Sequence, residues 1–277
     1  MTTRDALLRE AVAVLGQAGV PDPARDVRLL LRWASGLDAA NLSTSLRESP
    51  SPDEANSFRK AVSRRARREP LSHITGSRAF HRHEFEVTGD VLDPRPETEV
   101  LVNEALHRGP FERVLDLGTG SGCILLSLLA AWPTAMGLGT DQSAKALRIA
   151  ARNADKLGLA ARCEFLRANW LDEFDTRFDL IVSNPPYIAE AEMEALSPEV
   201  RLHEPREALT PGGDGLDAYN AIGSRVREVL LPGGWIMLEI GPTQAEAVAN
   251  ILASNGLSVR SIIPDLDQRP RVVTATM

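Results

Sequence analysis

The tetrapeptide Asn184-Pro185-Pro186-Tyr187 follows a short apolar segment, and its residue types suit a particular chemistry. Neither proline can donate a backbone N–H to a neighbouring strand, so the pair must end the strand that the apolar segment predicts. The Asn184 side-chain oxygen can accept one hydrogen of an NH2 group, and the Pro185 carbonyl can accept the other. The Tyr187 ring can lie against a flat group. The pattern indicates a binding site for a planar polar group that bears an NH2. The alternative is a turn that ends the strand and has no catalytic or binding role.

A glycine-rich turn follows another predicted strand, Val114–Leu117. The turn has the spacing G-x-G-x-G and consists of Gly118, Thr119, Gly120, Ser121 and Gly122. Glycines allow the backbone to come close to a ligand at the start of a helix. The dinucleotide fingerprint has a longer gap, G-x-G-x-x-G, so the spacing disfavours a nicotinamide cofactor without excluding it.

Polar and aromatic residues after the next two predicted strands fit an adenosine. Asp141 lies 141 − 116 = 25 residues after Asp116, and an acid there can accept hydrogen bonds from both ribose hydroxyls. Its alternative role is to cap the next helix, for which Ser143 is an equally good candidate. Asn169 can bond an adenine edge and Trp170 can cover the ring, although a tryptophan after a strand is more often part of the core. Turn and acid together predict an adenosine-bearing ligand.

The elements that must position these residues alternate between strand and helix from about residue 98 onward. Seven segments have the composition of strands: Val114–Leu117, Met136–Thr140, Glu164–Leu166, Leu180–Ser183, Trp235–Glu239, Val259–Ile263 and Val272–Thr276. Helical patterns fill the gaps, as in Ile124–Ala131, Ser143–Leu157 and Ala218–Val229. The order predicts an α/β fold with a doubly wound, mostly parallel, seven-stranded sheet, which binds ligands at the carboxyl ends of its strands.

Residues 1–75 are predicted to form a small helical bundle, and residues 98–277 the α/β domain. Helix starts are indicated by Asp22-Pro23 and by the possible capping box Ser51-Pro52-Asp53-Glu54. A run of basic residues near the end of the last helix is either a solvated face or a docking patch for an acidic or RNA-bearing partner. The run comprises Arg59, Lys60, Arg64, Arg65, Arg67 and Arg68.

Residues 76–97 are predicted to be a β-hairpin linker that ends in Pro94-Arg95-Pro96-Glu97. The prolines on both sides of Arg95 stiffen the chain. This segment is either a linker only or a support that holds Arg95 or Glu97 against a site.

Composition indicates an ordinary water-soluble globule with 277 residues, 43% of them hydrophobic. The net charge of −7 counts against a broad grip on nucleic acid. Cys123 and Cys163 do not form a disulfide framework, and the N-terminus lacks the apolar core of a signal peptide. No apolar run reaches membrane-spanning length. We therefore expect a cytoplasmic protein without a membrane segment.

Taken together, the motifs resemble those of the class I S-adenosylmethionine-dependent methyltransferases, which have a Rossmann-like fold. They resemble most closely the protein glutamine N5-methyltransferases that modify peptide-chain release factors, the HemK or PrmC family. The segments that carry the resemblance are 70–76, 94–99, 116–122, 184–187, 204–205, 213–216 and 271–273. Two residues depart from the family pattern: Asp93 stands where an apolar residue is usual, and Asn169 where an acid is common.

The resemblance implies S-adenosylmethionine as cofactor and the glutamine of the Gly-Gly-Gln loop of a release factor as acceptor. It implies Asn184, Pro185 and Tyr187 as catalytic residues, with Pro186, Arg95 and Glu97 also near the substrate. The 118–122 turn, Asp141, Asn169, Trp170 and Asn184 are expected to contact the cofactor. No metal and no covalent intermediate are expected, and the protein is expected to be a monomer whose helical domain docks the release factor.

Three other functions remain open at this point. A nucleic-acid amino-methyltransferase would share the Asn-Pro-Pro-Tyr motif, acting on adenine N6 or guanine N2. A glutamine methyltransferase of a ribosomal protein would differ only in its docking surface. A non-catalytic adenosine-binding protein would use the α/β domain as a scaffold.

Overall fold

The structure, a computed structural model, describes residues 2–171 and 176–277 and contains two compact units. The first unit consists of the chain up to Gly76 together with Ser197–His203. The second consists of Ser77–Leu196 and Glu204–Met277. Among the described residues, no helix has the length and apolar character that crossing a bilayer requires.

The first unit is helical. Its helices are α1 (Arg4–Gln17), α2 (Pro23–Ser35), α3 (Ala39–Thr44), α4 (Pro52–Ala66) and α5 (Leu71–Thr75), joined by the later segment α9 (Pro198–His203). Side-chain oxygens at the start of the first four helices accept backbone N–H bonds and so satisfy groups that a helix leaves free. These caps are Thr3, Asp22, Asp38 and Ser51. Apolar stripes of the helices meet in one core around Leu15, Leu30 and Phe58.

Ion pairs use part of the basic run on α4. Arg65 is buried, and it donates to Asp26 at 2.7 Å and to Glu199 at 3.1 Å. Arg68 donates to both oxygens of Glu199 at 2.7 Å. These bonds hold α9 against α4, so Arg65 and Arg68 have a structural role. The exposed members of the run are Arg59, Lys60 and Arg67.

The expected capping box at the start of α4 is present only in part. Ser51 Oγ accepts from the Glu54 backbone N–H at 3.1 Å, as the motif predicts. The Glu54 carboxylate, however, binds Arg4 at 2.6 and 2.8 Å. Both side chains are buried, so the pair links the first helix of the bundle to the fourth.

The second unit contains a hairpin and a large sheet. Its strands are β1 (Ser77–Phe80), β2 (His83–Glu86), β3 (Arg113–Leu117), β4 (Met136–Asp141), β5 (Cys163–Arg167), β6 (Phe178–Ser183), β7 (Leu230–Glu239), β8 (Ser258–Pro264) and β9 (Pro270–Thr276). Its helices are α6 (Glu99–Arg108), α7 (Cys123–Ala131), α8 (Ala144–Lys156), α10 (Asp217–Val229) and α11 (Ala245–Ser254). Short 3-10 turns lie at Pro96–Thr98, Ala160–Arg162, Glu190–Ala195 and Arg206–Ala208.

The predicted seven-stranded sheet is confirmed, with the strand order β5-β4-β3-β6-β7-β9-β8. The first five strands in this order run parallel, and β9 lies antiparallel between β7 and β8. The chain moves outward from β3 to β5 and then returns to place β6 on the other side of β3. The order of strands therefore reverses between β3 and β6, where a doubly wound sheet binds its ligands.

Successive residues of the central strands pack on opposite faces of the sheet, and both faces are covered. Val114 and Leu180 pack with α6 and α7, whereas Leu115 and Ile181 pack with α10 and α11. All four side chains are fully buried. This burial explains why these strands have continuous apolar sequences rather than alternating ones.

Candidate active site

A cavity opens at the point where the strand order reverses. In the β3–β6 register, Leu117 is opposite Ser183, so the glycine-rich turn and the Asn184 turn leave the sheet side by side. The cavity is lined by seven of the predicted site residues: Gly118, Gly120, Asp141, Asn169, Trp170, Asn184 and Pro186. Residues far apart in the sequence therefore meet at one edge of the sheet.

The glycine-rich turn needs glycine for both conformation and space. Gly118, Gly120 and Gly122 have φ values of +67°, +56° and +80°. Such values suit glycine because other L-residues rarely adopt them. At Gly122, a Cβ would lie 3.1 Å from Leu126 and 3.2 Å from Ala150, so the turn also packs closely on two helices. At Gly120 the nearest atom to such a Cβ is 4.0 Å away, which leaves this part of the backbone open to a ligand.

The other two residues of the turn support it from beneath. The Thr119 hydroxyl donates to Asp116 Oδ2 at 2.7 Å, and the Ser121 carbonyl accepts from the Asn153 side chain at 2.8 Å. Both Thr119 and Ser121 are buried. The lining of the cavity does not include their side chains or Gly122.

Asp141 links the glycine-rich turn to the start of α8. Its Oδ2 accepts from the Gly120 backbone N–H at 3.0 Å, and its Oδ1 accepts from the Ser143 N–H at 2.8 Å. The cap of α8 is Ser143, whose hydroxyl accepts from Ala146 N at 3.3 Å. Burial raises the pKa of Asp141, while the two backbone bonds act in the opposite direction. Each carboxylate oxygen has a second lone pair that can accept a hydroxyl from a ligand.

Trp170 and Asn169 form a wall beside this carboxylate. Trp170 is half-buried with a φ of +52°, and its ring is 3.8 Å from the position that a Cβ on Gly118 would take. The ring therefore lies over the first glycine of the turn, where it can cover a flat ligand. Asn169 is exposed and lines the same cavity.

Asn184 is held by a contact with a residue 86 positions away. Its Nδ2 donates to Thr98 Oγ1 at 3.1 Å, and Asn184 itself lines the cavity. Pro186 also lines the cavity, whereas Pro185 is buried in the turn behind it. The NH2 end of the Asn184 amide is directed to Thr98.

Tyr187 is held from behind by Gln244. The Gln244 Nε2 donates to the Tyr187 carbonyl at 2.9 Å, and its Oε1 accepts from the Gly241 N–H at 3.0 Å. Gly215 approaches this carbonyl so closely that a Cβ there would lie 2.3 Å from the oxygen. Burial raises the pKa of the Tyr187 hydroxyl to about 12, so the phenol is neutral at physiological pH.

The predicted substrate residues Arg95 and Glu97 do not line the cavity. Arg95 Nη2 donates to both oxygens of Glu204, at 2.6 and 2.8 Å, and Glu97 is exposed. Glu204 is buried, which raises its pKa to about 7. The ion pair anchors the start of a segment that contributes to the cavity wall. Its lining members are Pro205, Glu207 and Ala208.

Asp93, the unusual residue before Pro94, belongs to the same charged group. It is buried, its Oδ2 lies 3.7 Å from Arg78 Nη1, and its Oδ1 has no hydrogen-bond partner. Arg78 Nε in turn donates to the Pro94 carbonyl at 3.0 Å. The negative charge of Asp93 is therefore balanced by the positive charge of Arg78, which lies on the hairpin strand β1.

Two buried carboxyl groups near the site were not predicted from the sequence. Asp116 is the second-last residue of β3, beneath the glycine-rich turn, and Glu239 ends β7 beside Asn184. Each has one oxygen without a partner, and burial raises the pKa of each to about 7. For Asp116, the available signal was an acid two residues before the first glycine of G-x-G-x-G. For Glu239 the sequence offered none.

Other cavity residues also escaped the motif analysis because they are ordinary apolar or polar types. They are Asp90, Val91, Leu92, Thr140, Gln142, Ala146 and Ala168. The described residues contain no cluster of three or more His, Cys, Asp or Glu side chains suited to a metal ion.

Comparison with known proteins decides the family. Residues 6–76 match the family model described as PrmC N-terminal domain, and residues 90–217 match that of the Methyltransferase small domain. The release factor glutamine methyltransferase of Cereibacter sphaeroides is 50% identical over 277 residues, which cover 100% of this chain and 99% of the relative. The chain belongs to the release factor glutamine methyltransferase family. Its cofactor is S-adenosylmethionine.

Further similarities agree with this family assignment. The release factor glutamine methyltransferase of Rhodospirillum rubrum is 44% identical over 260 residues, which cover 93% of this chain and 80% of that relative. A crystal structure of a methyltransferase from Pyrococcus furiosus is 16% identical, with a TM-score of 0.56, and covers 77% of this chain and 98% of that one. The latter likeness shows the methyltransferase fold.

The cavity fits the cofactor of the family. An open glycine backbone at Gly120, a carboxylate at Asp141 and an aromatic ring at Trp170 suit the polar chain, ribose and base of an adenosine compound.

Proposed function

We propose that this protein transfers a methyl group from S-adenosylmethionine to the side-chain amide nitrogen, N5, of the glutamine in the Gly-Gly-Gln loop of peptide-chain release factors. The observation that carries the proposal is the position of Asn184, which lines the cofactor cavity beside the glycine-rich turn. A planar NH2 group bound at the Asn-Pro-Pro-Tyr turn would lie next to the cofactor. Family membership supports a release factor as the protein that carries this group.

The chemistry required of the protein is mainly alignment. A carboxamide nitrogen is a poor nucleophile because its lone pair is delocalised into the carbonyl group. S-adenosylmethionine supplies a methyl group on a positively charged sulfur, which is a strong electrophile. Holding the amide in line with this methyl group can contribute roughly 7–11 kcal/mol in ideal systems.

Asn184 and Pro185 would provide this alignment. The Asn184 side-chain oxygen and the Pro185 carbonyl accept the two N–H bonds of the substrate amide, which directs the nitrogen lone pair to the methyl group. Both acceptors would also stabilise the positive charge that develops on the nitrogen during transfer. The methyl–sulfur bond would break as the carbon–nitrogen bond forms, the cofactor would leave as a neutral thioether, and one of the two nitrogen protons would then pass to water. The neutral Tyr187 ring holds the plane of the amide. Its high pKa argues against a role as general base.

The setting of the reaction follows from the proposed substrate. The helical first unit would dock the release factor, with the enzyme acting as a monomer in the cytoplasm. The net charge of −7 favours a protein substrate over nucleic acid, since proteins that bind phosphate backbones are usually basic.

The proposal is tested by offering the alternative acceptors in parallel. Purified release factor, ribosomal proteins, RNA and DNA are each incubated with the enzyme and cofactor labelled in its methyl group. We expect label only in the release factor, and only when its loop glutamine is intact. Label in a ribosomal protein or in nucleic acid would support the corresponding alternative. Absence of label from every acceptor would favour a non-catalytic adenosine-binding protein.

A further inference from the structure

The orientation of the Asn184 carboxamide decides which chemical group the site accepts. The two ends of this amide have nearly the same shape, but one is an acceptor and the other a donor. A substrate NH2 group needs the oxygen end of the Asn184 amide as its acceptor. If the amide were reversed, its own NH2 group would face the substrate NH2 group, and neither could accept a hydrogen bond. The structure directs the nitrogen end to Thr98, with Nδ2 3.1 Å from Oγ1.

Thr98 is itself rigidly placed. It ends the 3-10 turn Pro96–Thr98, its backbone N–H donates to the Arg95 carbonyl at 3.1 Å, and the residue is 2% exposed. The prolines on both sides of Arg95 restrict the backbone further. The hydroxyl therefore has little freedom to follow a rotating amide.

The Thr98 hydroxyl also has a reason to act as an acceptor toward Asn184. Burial raises the pKa of Glu239, the residue that ends β7, and an interaction with the Thr98 hydroxyl acts in the opposite direction. In the β6–β7 register Ser183 is opposite Leu238, so Asn184 and Glu239 are the next residues on adjacent strands. A threonine hydroxyl has a single proton. When that proton is donated to Glu239, the oxygen presents lone pairs to Asn184 and favours its NH2 end.

We propose that Thr98 is a positioning residue that fixes the direction of the Asn184 carboxamide and thereby selects an NH2-bearing acceptor. This inference rests on the proposed function. Thr98 acts through Asn184 rather than on the substrate directly. The inference thereby gives a role to Thr98 within the Pro94–Glu99 segment.

The first test is kinetic and uses two substitutions with opposite expectations. Thr98→Val keeps the branched shape but removes the hydroxyl, so the amide can reverse. We expect kcat for release factor methylation to fall by about tenfold, the size of one hydrogen bond, with the Kd for S-adenosylmethionine unchanged. Thr98→Ser keeps the hydroxyl and should restore kcat, although it loses the buried methyl group.

A matched control measures the general effect of losing a buried threonine hydroxyl. Thr274 lies on β9, is fully buried, and its Oγ1 is 2.8 Å from Ser261 Oγ. Thr274→Val should retain the wild-type kcat. Wild-type kcat in Thr98→Val, or equal losses in Thr98→Val and Thr98→Ser, would overturn the proposal.

A second readout does not depend on the substrate. The side-chain NH2 resonances of Asn184, assigned by their disappearance in Asn184→Ala, should exchange slowly with solvent in the wild type and in Thr98→Ser. They should exchange rapidly in Thr98→Val. If the wild type fails to methylate release factor, the proposed function is contradicted and this exchange still decides the role of Thr98. Equal exchange rates in all three proteins would refute it.

Discussion

At the scale of single residues, two polar side chains of the site are proposed to bind different molecules, the substrate and the cofactor. Asn184 lines the cavity from the β6 side and would bind the substrate amide, whereas Asp141 lines it from the β4 side and would bind the cofactor ribose. Because the two side chains belong to different turns, their substitutions should affect different measured quantities.

Replacing Asn184 should remove catalysis but not cofactor binding. Asn184→Ala deletes one of the two acceptors of the substrate NH2, so transfer to release factor should be nearly abolished. Calorimetry should find cofactor affinity mostly intact. A suitable control is Asn220→Ala, which removes an exposed asparagine of α10 and should leave transfer unchanged. Normal turnover by the Asn184 variant would refute its assigned role.

Replacing Asp141 should have the opposite signature. Asp141→Ala removes a charged acceptor, so cofactor binding should weaken by about 1.5–3 kcal/mol. Part of this loss will come from the Gly120 and Ser143 N–H groups, which lose their partner. Asp141→Asn keeps one acceptor oxygen and should lose less. Unchanged affinity of the alanine variant in calorimetry would exclude Asp141 from the cofactor site.

Glu239 should make stability depend on pH. Burial raises its pKa from 4.5 to about 7, so between these values the folded protein holds a proton that the unfolded chain has released. The free energy of unfolding therefore falls as the pH rises from about 4.5 to 7. Glu239→Gln should make this decline shallower by up to about 1.4 kcal/mol per pH unit. Urea unfolding across this range measures the slopes; parallel curves for both proteins would contradict the expectation.

At the scale of elements, the glycine-rich turn depends on close packing as well as on backbone conformation. Gly122→Ala places a Cβ against Leu126 and Ala150, in addition to the strain of a positive φ. Gly158→Ala is a matched control, because Gly158 has a φ of +69° and no atom within 4 Å of such a Cβ. We expect the control to lose about 1 kcal/mol of stability and the Gly122 variant about 1–3 kcal/mol more.

Cofactor affinity provides the second measurement for this pair of variants. Gly122→Ala shifts the turn that faces the cavity, so its Kd for S-adenosylmethionine should rise, whereas that of Gly158→Ala should not. Equal unfolding free energies for the two variants would show that packing at Gly122 is unimportant.

The elements themselves could be predicted because their signals are local. The seven strands are five to ten residues long, and central ones such as β3 and β6 have apolar sequences rich in β-branched residues. The two turns that face the cavity contain glycine in one case and proline in the other. Parallel strands bring their carboxyl ends to one edge, so Gly118, Asp141 and Asn184 could be grouped without coordinates.

Contacts between distant residues could not be predicted in the same way. The Asn184–Thr98 bond joins residues 86 positions apart, and the Arg65–Glu199 bond joins residues 134 apart. Arg95 had the features of a substrate ligand in the sequence, but its bond to Glu204, 109 positions away, depends on tertiary packing. An arginine has the same sequence signature whether it binds a substrate or a buried glutamate.

At the scale of the whole molecule, both units carry the family likeness, since matches extend from residue 6 to residue 217 and one relative aligns over the full chain. The cofactor cavity is formed entirely by the second unit. The helical unit, whose ion pairs use Arg65 and Arg68 of the basic run, is the unit proposed to dock a release factor.

The proposed acceptor is one glutamine carboxamide in a release factor. The most direct test treats purified release factor with the enzyme and S-adenosylmethionine and locates the added methyl group by fragmentation mass spectrometry of the loop peptide. We predict one methyl group on the amide nitrogen of the loop glutamine, and none in a release factor whose glutamine is replaced by alanine. A methyl group on another residue, or equal incorporation into the alanine form, would contradict the proposed function.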